Sequence, residues 1–317
     1  MPEKAFIFGI NGQDGSYLAE MLIEKGYDVA GAVRGGSSLH NLASVRGRVC
    51  IETLDLSGPA FVRSLLERHC PGEVYNLASQ SHVGRSWDSV AETVEAGALF
   101  PARIIDAIHG MGGGIKYFQA STGALFCGAD SIQTEQTPLS PCDPYGFAKY
   151  LPHRMVAAYR ERYGYHFCSG ILYNHESPRR PESFVTRKIT KAAARIKLGK
   201  QSELRLGNLD SVRDWGYAPE YVRGMWMMLQ AKKPDDYILA TGKGRTVRDF
   251  VETAFRLAGL DWREHVAVDE SFVRPNDGLL VGDPSKIGRE LGWKAEMSFE
   301  NMVRAMLEAD LELETET

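Results

Sequence analysis

No stretch of this 317-residue chain is apolar for long enough to cross a bilayer, and the first apolar run, Ala5-Phe6-Ile7-Phe8, is too brief for a signal-sequence core. Charge of one sign is missing too. With 37 basic against 41 acidic residues the net charge is −4, which excludes a general attraction to nucleic acid or an anionic membrane. Cysteine is scarce, five residues that form no C-x-x-C pair, so neither a disulfide framework nor a zinc knuckle is expected, and no metal site. A reducing cytoplasm is the expected compartment. Repeats and low-complexity tracts are absent, and 44% hydrophobic with 25% charged residues excludes a disordered or fibrous chain. What remains is a globular protein of one large or two closely packed units.

The amino-terminal half alternates two periodicities. Ala5–Phe8 reads as a strand, and a glycine-rich turn leads into Tyr17–Lys25, whose apolar residues recur at helical spacing before Gly26. Further apolar runs at Val29–Val33, Val74–Leu77, Tyr117–Ala120 and Ser169–Tyr173 are separated by helical stretches. This predicts an α/β fold of Rossmann type, a doubly wound parallel sheet whose binding crevice lies at the carboxyl ends of the strands. Residues 1–175 are read as the dinucleotide-binding domain and 176–317 as a smaller substrate-binding lobe, with a soft boundary across which elements can return to the first sheet. In that lobe Val185–Leu198 is a basic helix and Ser298–Leu313 an amphipathic one, followed by a frayed glutamate-rich end.

The turn Gly9-Ile10-Asn11-Gly12-Gln13-Asp14-Gly15 stands between the first strand and the first helix. Glycines let a pyrophosphate approach the backbone and the helix amino end, so Gly9, Asn11, Gly12, Gln13, Asp14 and Gly15 are candidate cofactor contacts. After the second strand an acid would favour NAD and an arginine NADP. The residue there is Arg34, followed by Ser37 and Ser38, so NADP is expected, with NAD as the alternative.

Asp143-Pro144-Tyr145-Gly146-Phe147-Ala148-Lys149 begins with a capping aspartate and a helix-opening proline, which places Tyr145 and Lys149 on one helical face. A lysine ammonium beside a phenol lowers its pKa, so Tyr145 could take the proton of a substrate alcohol during hydride transfer. Thr122, at the end of the strand through Ala120, supplies the hydroxyl that orients that alcohol.

With these motifs in place the chain resembles the extended short-chain dehydrogenase/reductases that act on nucleotide sugars, and more narrowly the GDP-mannose 4,6-dehydratase family. The closer resemblance is carried by Gly9–Ala19, Tyr75–Val83, Asn174–Arg180, Phe184–Lys188 and Arg213–Gly216. It implies cofactor contacts from Asp55, Leu56, Leu77, Ala78, Ser79, Leu172, Asn174 and His175, with Asn76 beside them. It implies a GDP-sugar held by Ser81, Gly123, Ala124, Asn174, Glu176, Val185, Lys188, Leu206, Gly207, Arg213, Arg274 and Asp277. Arg179, Arg180 and Arg187 add cations to that lobe, where a diphosphate needs them. Lys191 and Arg195 are read as a solvated helix face.

One departure from the family pattern bears on the chemistry. Where the resembling dehydratases carry Ser-Thr-Ser-Glu, this chain has Ser121-Thr122-Gly123-Ala124, and the glutamate is the group that in those enzymes removes the C5 proton and helps expel water from C6. Losing such a group costs around 10²–10⁴ in rate. Oxidation at C4 should survive and elimination should not, which favours a 4-epimerase-like or 4-keto redox enzyme. The alternatives are a dehydratase, natural or carrying an active-site substitution, in which an acid such as Glu176 stands in, and an NADP-binding sensor without turnover. Arg34-Gly35 replaces a family arginine pair at a tetramer contact, so a homodimer is expected, with a tetramer as the alternative. His82, Trp87, Trp215, Trp226, Trp293 and Cys127 are read as packing residues.

Overall fold

Strand and helix alternate from the first residues of the computed structural model, which describes residues 2–55, 59–269 and 278–316. In chain order the elements are β1 (Lys4–Phe8), α1 (Gln13–Glu24), β2 (Asp28–Arg34), β3 (Val49–Leu54), α2 (Pro59–His69), β4 (Glu73–Asn76), α3 (Val90–Val94), α4 (Phe100–Gly110), β5 (Lys116–Thr122), α5 (Pro144–Tyr163) and β6 (Phe167–Leu172). There follow β7 (Asn174–Glu176), α6 (Val185–Lys197), β8 (Leu204–Leu206), β9 (Val212–Tyr217), α7 (Ala218–Gln230), β10 (Tyr237–Leu239), β11 (Gly244–Thr246), α8 (Val247–Ala258), β12 (Val266–Val268), α9 (Ser285–Leu291) and α10 (Phe299–Glu316).

Seven strands form one parallel sheet in the order β10-β6-β5-β4-β1-β2-β3. Both faces are covered, so β1 is apolar throughout rather than alternating: Ala5 and Ile7 pack in the core under α1 and α7, and Phe6 and Phe8 in the core under α2 and α4. The chain reverses its direction of winding between β1, which pairs with β2 on one side and β4 on the other. That reversal opens a crevice at the strands' carboxyl ends. The expected doubly wound Rossmann sheet is therefore present. Two strands of this sheet escaped the sequence reading. Edge strand β3 mixes Glu52 and Thr53 with half-buried apolar residues, and β10 is only three residues long. β10 lies beyond residue 175 and joins the first sheet beside β6.

A second apolar core gathers α6, α8 and α10 around Ile189, Phe250, Phe255 and Met306. Inside it Asp310, fully buried, accepts hydrogen bonds from Arg187 Nε at 2.7 Å and Thr190 Oγ1 at 2.6 Å, with Arg187 Nη2 also at 2.7 Å. The expected solvated face of α6 and frayed chain end are both absent. Lys191 is buried and pairs with Glu182 and Glu314, Arg195 donates to Glu314 at 2.9 Å, and α10 continues to Glu316 because these cations hold its last turn. Trp215 and Trp293 are packing residues as expected, but Trp87 is 64% exposed. No helix among the described residues is long and apolar enough to cross a membrane.

Candidate active site

The glycine turn follows β1 at the point where the winding reverses. Gly9 has φ +80°, and a Cβ there would lie 2.9 Å from the Ala78 amide nitrogen; one on Gly15 would lie 2.2 Å from the Gly9 carbonyl oxygen. Only glycine fits either position. Gly12 begins α1 and meets nothing nearer than the Gly9 carbonyl, so the exposed side of the turn is a shallow cradle at a helix amino end, which suits a dinucleotide pyrophosphate. Asn11 donates to the Ser38 carbonyl and its own carbonyl accepts from Asn41, which ties the turn to the loop after β2. Arg34, at the end of β2, makes a solvent-exposed 3.3 Å pair with Glu92. Leu77 and Ala78 lie directly after β4 with Ser79, and Asp55 directly after β3. Leu56, Arg274 and Asp277 lie outside the described residues.

Gln13 and Asp14 point toward the segment after β6 instead of outward. Gln13 Nε2 donates to the His175 carbonyl at 3.0 Å, Ser177 Oγ donates to Gln13 Oε1, and His175 Nε2 meets Asp14 Oδ2 at 2.9 Å. Burial acts to raise the Asp14 carboxyl, but the facing imidazole outweighs it and the pKa falls; burial acts to lower His175, and Asp14 outweighs that in turn. The buried His175 ring also stacks on Tyr221. Arg179 extends the same join to Ser16 and Glu20. His175 thus sits beside the glycine turn, with Asn174 its neighbour in β7 and Leu172 at the end of β6.

Thr122, Tyr145 and Lys149 converge. Asp143 accepts from the Gly146 amide and Pro144 opens α5, as expected, so Tyr145 and Lys149 share the face turned to β5. Lys149 Nζ donates to the Ala120 carbonyl at 3.0 Å and stands 5.9 Å from the centre of the Tyr145 ring. The expected electrostatics need correction. Burial raises the Tyr145 pKa, and what opposes it is a hydrogen bond with Thr122 and the charge of Arg180, not Lys149. Lys149 is itself pushed down to about 8 by burial, against the pull of Asp14. Arg180 was legible only as a phosphate-binding cation; its proximity to Tyr145 comes from the fold of the segment after β6. Its nearest acid is Glu176, 3.1 Å away.

The loop after Thr122 makes one tight turn, Gly123–Phe126, capped by the Thr122 side chain, which accepts from the Ala124 amide. Ala124 is half-buried and Gly123 buried against Tyr173 and Leu280. Cys127, expected to be a lone packing residue, is instead disulfide-bonded to Cys142. Parity and C-x-x-C spacing could not find a pair 15 residues apart that a folded loop brings to a Cα separation of 5.8 Å. Glu176 is fully buried, accepting from Thr186 Oγ1 at 2.6 Å and facing Arg180, so it is held in structural bonds.

The candidate substrate residues line the elements that follow. Ser81 is exposed in the loop after β4 and His82 Nε2 lies 3.2 Å from the Ser183 carbonyl, a packing contact as expected. Val185 opens α6, and Lys188, one turn on, donates to the Arg205 carbonyl at 2.7 Å; burial lowers its pKa against the pull of Asp269. Leu206 is buried at the end of β8, Gly207 follows it, and Arg213 lies in β9 with Nη1 donating to the Val212 carbonyl.

Residues 6–306 match the family described as GDP-mannose 4,6 dehydratase. GDP-mannose 4,6 dehydratase 1 of Arabidopsis thaliana is 44% identical, covering 98% of this chain and 90% of its own length, and the Homo sapiens enzyme of that name is 40% identical, covering 98% and 91%. Among solved structures, the UDP-glucose 4-epimerase of Thermotoga maritima superposes with a TM-score of 0.85 at 20% identity, covering 99% of this chain and all of its own. The dTDP-glucose 4,6-dehydratase of Bacillus anthracis does so with 0.86 at 16%, covering 99% and 98%. Such distant likeness speaks for the fold alone. The epimerase-like activity expected from Ala124 finds no support among the relatives at 40–44% identity named here, which carry the dehydratase name.

Proposed function

Because the chain belongs to the GDP-mannose 4,6-dehydratase family, we propose that it is an NADP-dependent enzyme that oxidises the C4 carbinol of a GDP-hexose and reduces the 4-keto sugar again without expelling water. The observation that carries the second half of this reading is the loop after Thr122. It offers Gly123 and Ala124 where elimination needs a carboxyl group, and Glu176 is engaged by Thr186 and Arg180.

Bound at the glycine turn, NADP would supply the hydride acceptor and donor. Gly9, Asn11, Gly12 and Gly15, with the backbone of Gln13 and Asp14, whose side chains are engaged by His175 and Ser177, would hold its pyrophosphate side, Arg34 its 2′-phosphate, and Leu77, Ala78, Ser79 and Asn174 its middle. Tyr145 accepts the proton of the C4 hydroxyl and returns it, Thr122 orients that hydroxyl, and the Arg180 charge, with that of Lys149 at 5.9 Å from the ring centre, stabilises the phenolate. Val185, Lys188, Leu206, Gly207 and Arg213 hold the GDP portion. A homodimer is supported by an apolar surface in which α3 and the residues after it expose Val90, Val94 and Leu99 beside Phe147, Tyr150 and Leu151 of α5.

The names of the relatives favour a second reading, dehydration, and one experiment separates the two. Purified protein is incubated with GDP-mannose and NADP, and the product is weighed by mass spectrometry. Unchanged mass, with inversion at C4 seen by nuclear magnetic resonance, is expected; loss of one water overturns the reading.

A further inference from the structure

Two of the five cysteines sit on the two pieces of chain that build the catalytic centre. Cys127 ends the tight turn that starts at Thr122, and Cys142 stands two residues before the helix-opening Pro144 of α5, which carries Tyr145 and Lys149. Between them the chain makes an excursion anchored far away: the Tyr173 hydroxyl donates to Gln133 Oε1 and the Ile238 amide to Glu135. The disulfide closes the neck of that excursion. Beside it the turn is held by the Ser140 amide, which donates to the Leu125 carbonyl at 2.7 Å, and by Gly146 packed under the Ala124 carbonyl, while Lys149 and Tyr145 of α5 bond Ala120 and Thr122 just before the turn. Cys142 is exposed and Cys127 half-buried, so a small thiol reaches the bond from solvent. Cys50 and Cys70, both exposed, and buried Cys168 are free thiols.

We propose that Cys127 and Cys142 form a reversible redox clamp that sets the Thr122 turn against the Tyr145 helix. A dithiol reductant breaks the bond by thiolate attack on one sulfur; the second thiolate of the reductant then resolves the mixed disulfide. Two protons and two electrons yield two cysteine thiols and one oxidised dithiol. With the neck open, the turn 123–127 gains freedom that the clamp had removed; β5 stays paired with β6 at Thr122, but the Ala124 amide that donates to the Thr122 hydroxyl shifts, and the hydroxyl is no longer held in one orientation toward Tyr145. Turnover falls while the glycine turn, which shares no contact with the clamp, keeps its affinity for cofactor. The clamp concerns the site assigned above and its catalytic consequence rests on that assignment.

The experiment compares oxidised protein, dithiothreitol-reduced protein and the variant Cys127→Ser/Cys142→Ser. Thiol titration of the oxidised protein is expected to leave Cys127 and Cys142 unlabelled, and reduction to expose them. Amide-hydrogen exchange of 123–127 and 142–146 should quicken on reduction and in the variant, whatever the substrate. In turnover of GDP-mannose, kcat should fall about tenfold with the KM for NADP unchanged, within the hundredfold that small misplacement of a catalytic group costs. Reoxidation should restore the wild type and leave the variant slow. Free thiols at both positions after air oxidation, equal exchange in the two states, or equal kcat overturn the clamp. Quickened exchange in a protein that turns over no GDP-sugar in either state supports the clamp and sinks the substrate assignment instead.

Discussion

Lys149, placed in the proposed catalytic set, is held there at a cost in stability, and replacing it with methionine measures that cost. The side chain is 4% exposed and its ammonium donates to the Ala120 carbonyl, while burial holds its pKa near 8 against an ordinary 10.5. A displacement of that size means that the charged form costs the folded state about 3 kcal/mol. Below about pH 8 both folded and unfolded chains carry the proton, so the cost is fully present. Between about 8 and 10.5 only the unfolded chain stays protonated, so stability rises with pH across that window. Methionine fills similar space without the charge, and the Ala120 carbonyl keeps its bond from Gln119 at 2.9 Å. After about 1 kcal/mol for the lost hydrogen bond, Lys149→Met should stabilise the cofactor-free protein by about 2 kcal/mol at pH 7. The assay is urea unfolding of wild type and variant at pH 7 and at pH 10, with the difference between the two proteins as readout, since other groups titrate in both. The gain should shrink toward zero at the higher pH, and turnover should be lost at either. A variant less stable than wild type at pH 7, or a gain that does not change with pH, would refute the reasoning.

Tyr145→Phe should lower turnover by about 10²–10⁴ and leave cofactor binding, followed by nicotinamide fluorescence, in place. Arg34 is 76% exposed at its side chain, so Arg34→Ala should leave the unfolding midpoint unchanged while raising the Kd for NADP about tenfold over that for NAD; equal loss for both cofactors counts against a 2′-phosphate contact. Asp310→Ala strands the buried Arg187 guanidinium and should cost about 3–5 kcal/mol in denaturant unfolding, most of it recovered when Arg187→Met is added. A loss under about 1 kcal/mol would place that pair among the weak surface ones.

How far the sequence could be read depends on the range of the interaction that decides each feature. Strand β1, the glycine turn and α1 follow from local signals: an apolar run, the residue type that takes φ +80° without strain, and helical spacing. The same holds for the start of α5, where Asp143 and Pro144 place Tyr145 and Lys149 one turn apart. β3 was illegible because at a sheet edge one row of neighbours is absent and polar residues are tolerated. The helix of α10 is legible from its amphipathic spacing, but its glutamate-rich end reads as frayed because that last turn is held by Lys191, Arg195 and Lys200, more than a hundred residues away.

Sequence alone determined that a parallel sheet would carry a glycine turn after its first strand and bring Thr122, Tyr145 and Lys149 to its carboxyl edge, because local spacing and backbone freedom dictate both. Tertiary structure alone decided the electrical state of that set and the bond beside it. Burial raised Tyr145 and lowered Lys149, the segment after β6 brought Arg180 and the Asp14–His175 pair close, and loop folding joined Cys127 to Cys142. Desolvation and long-range proximity depend on what surrounds a group in space, which spacing along the chain does not record.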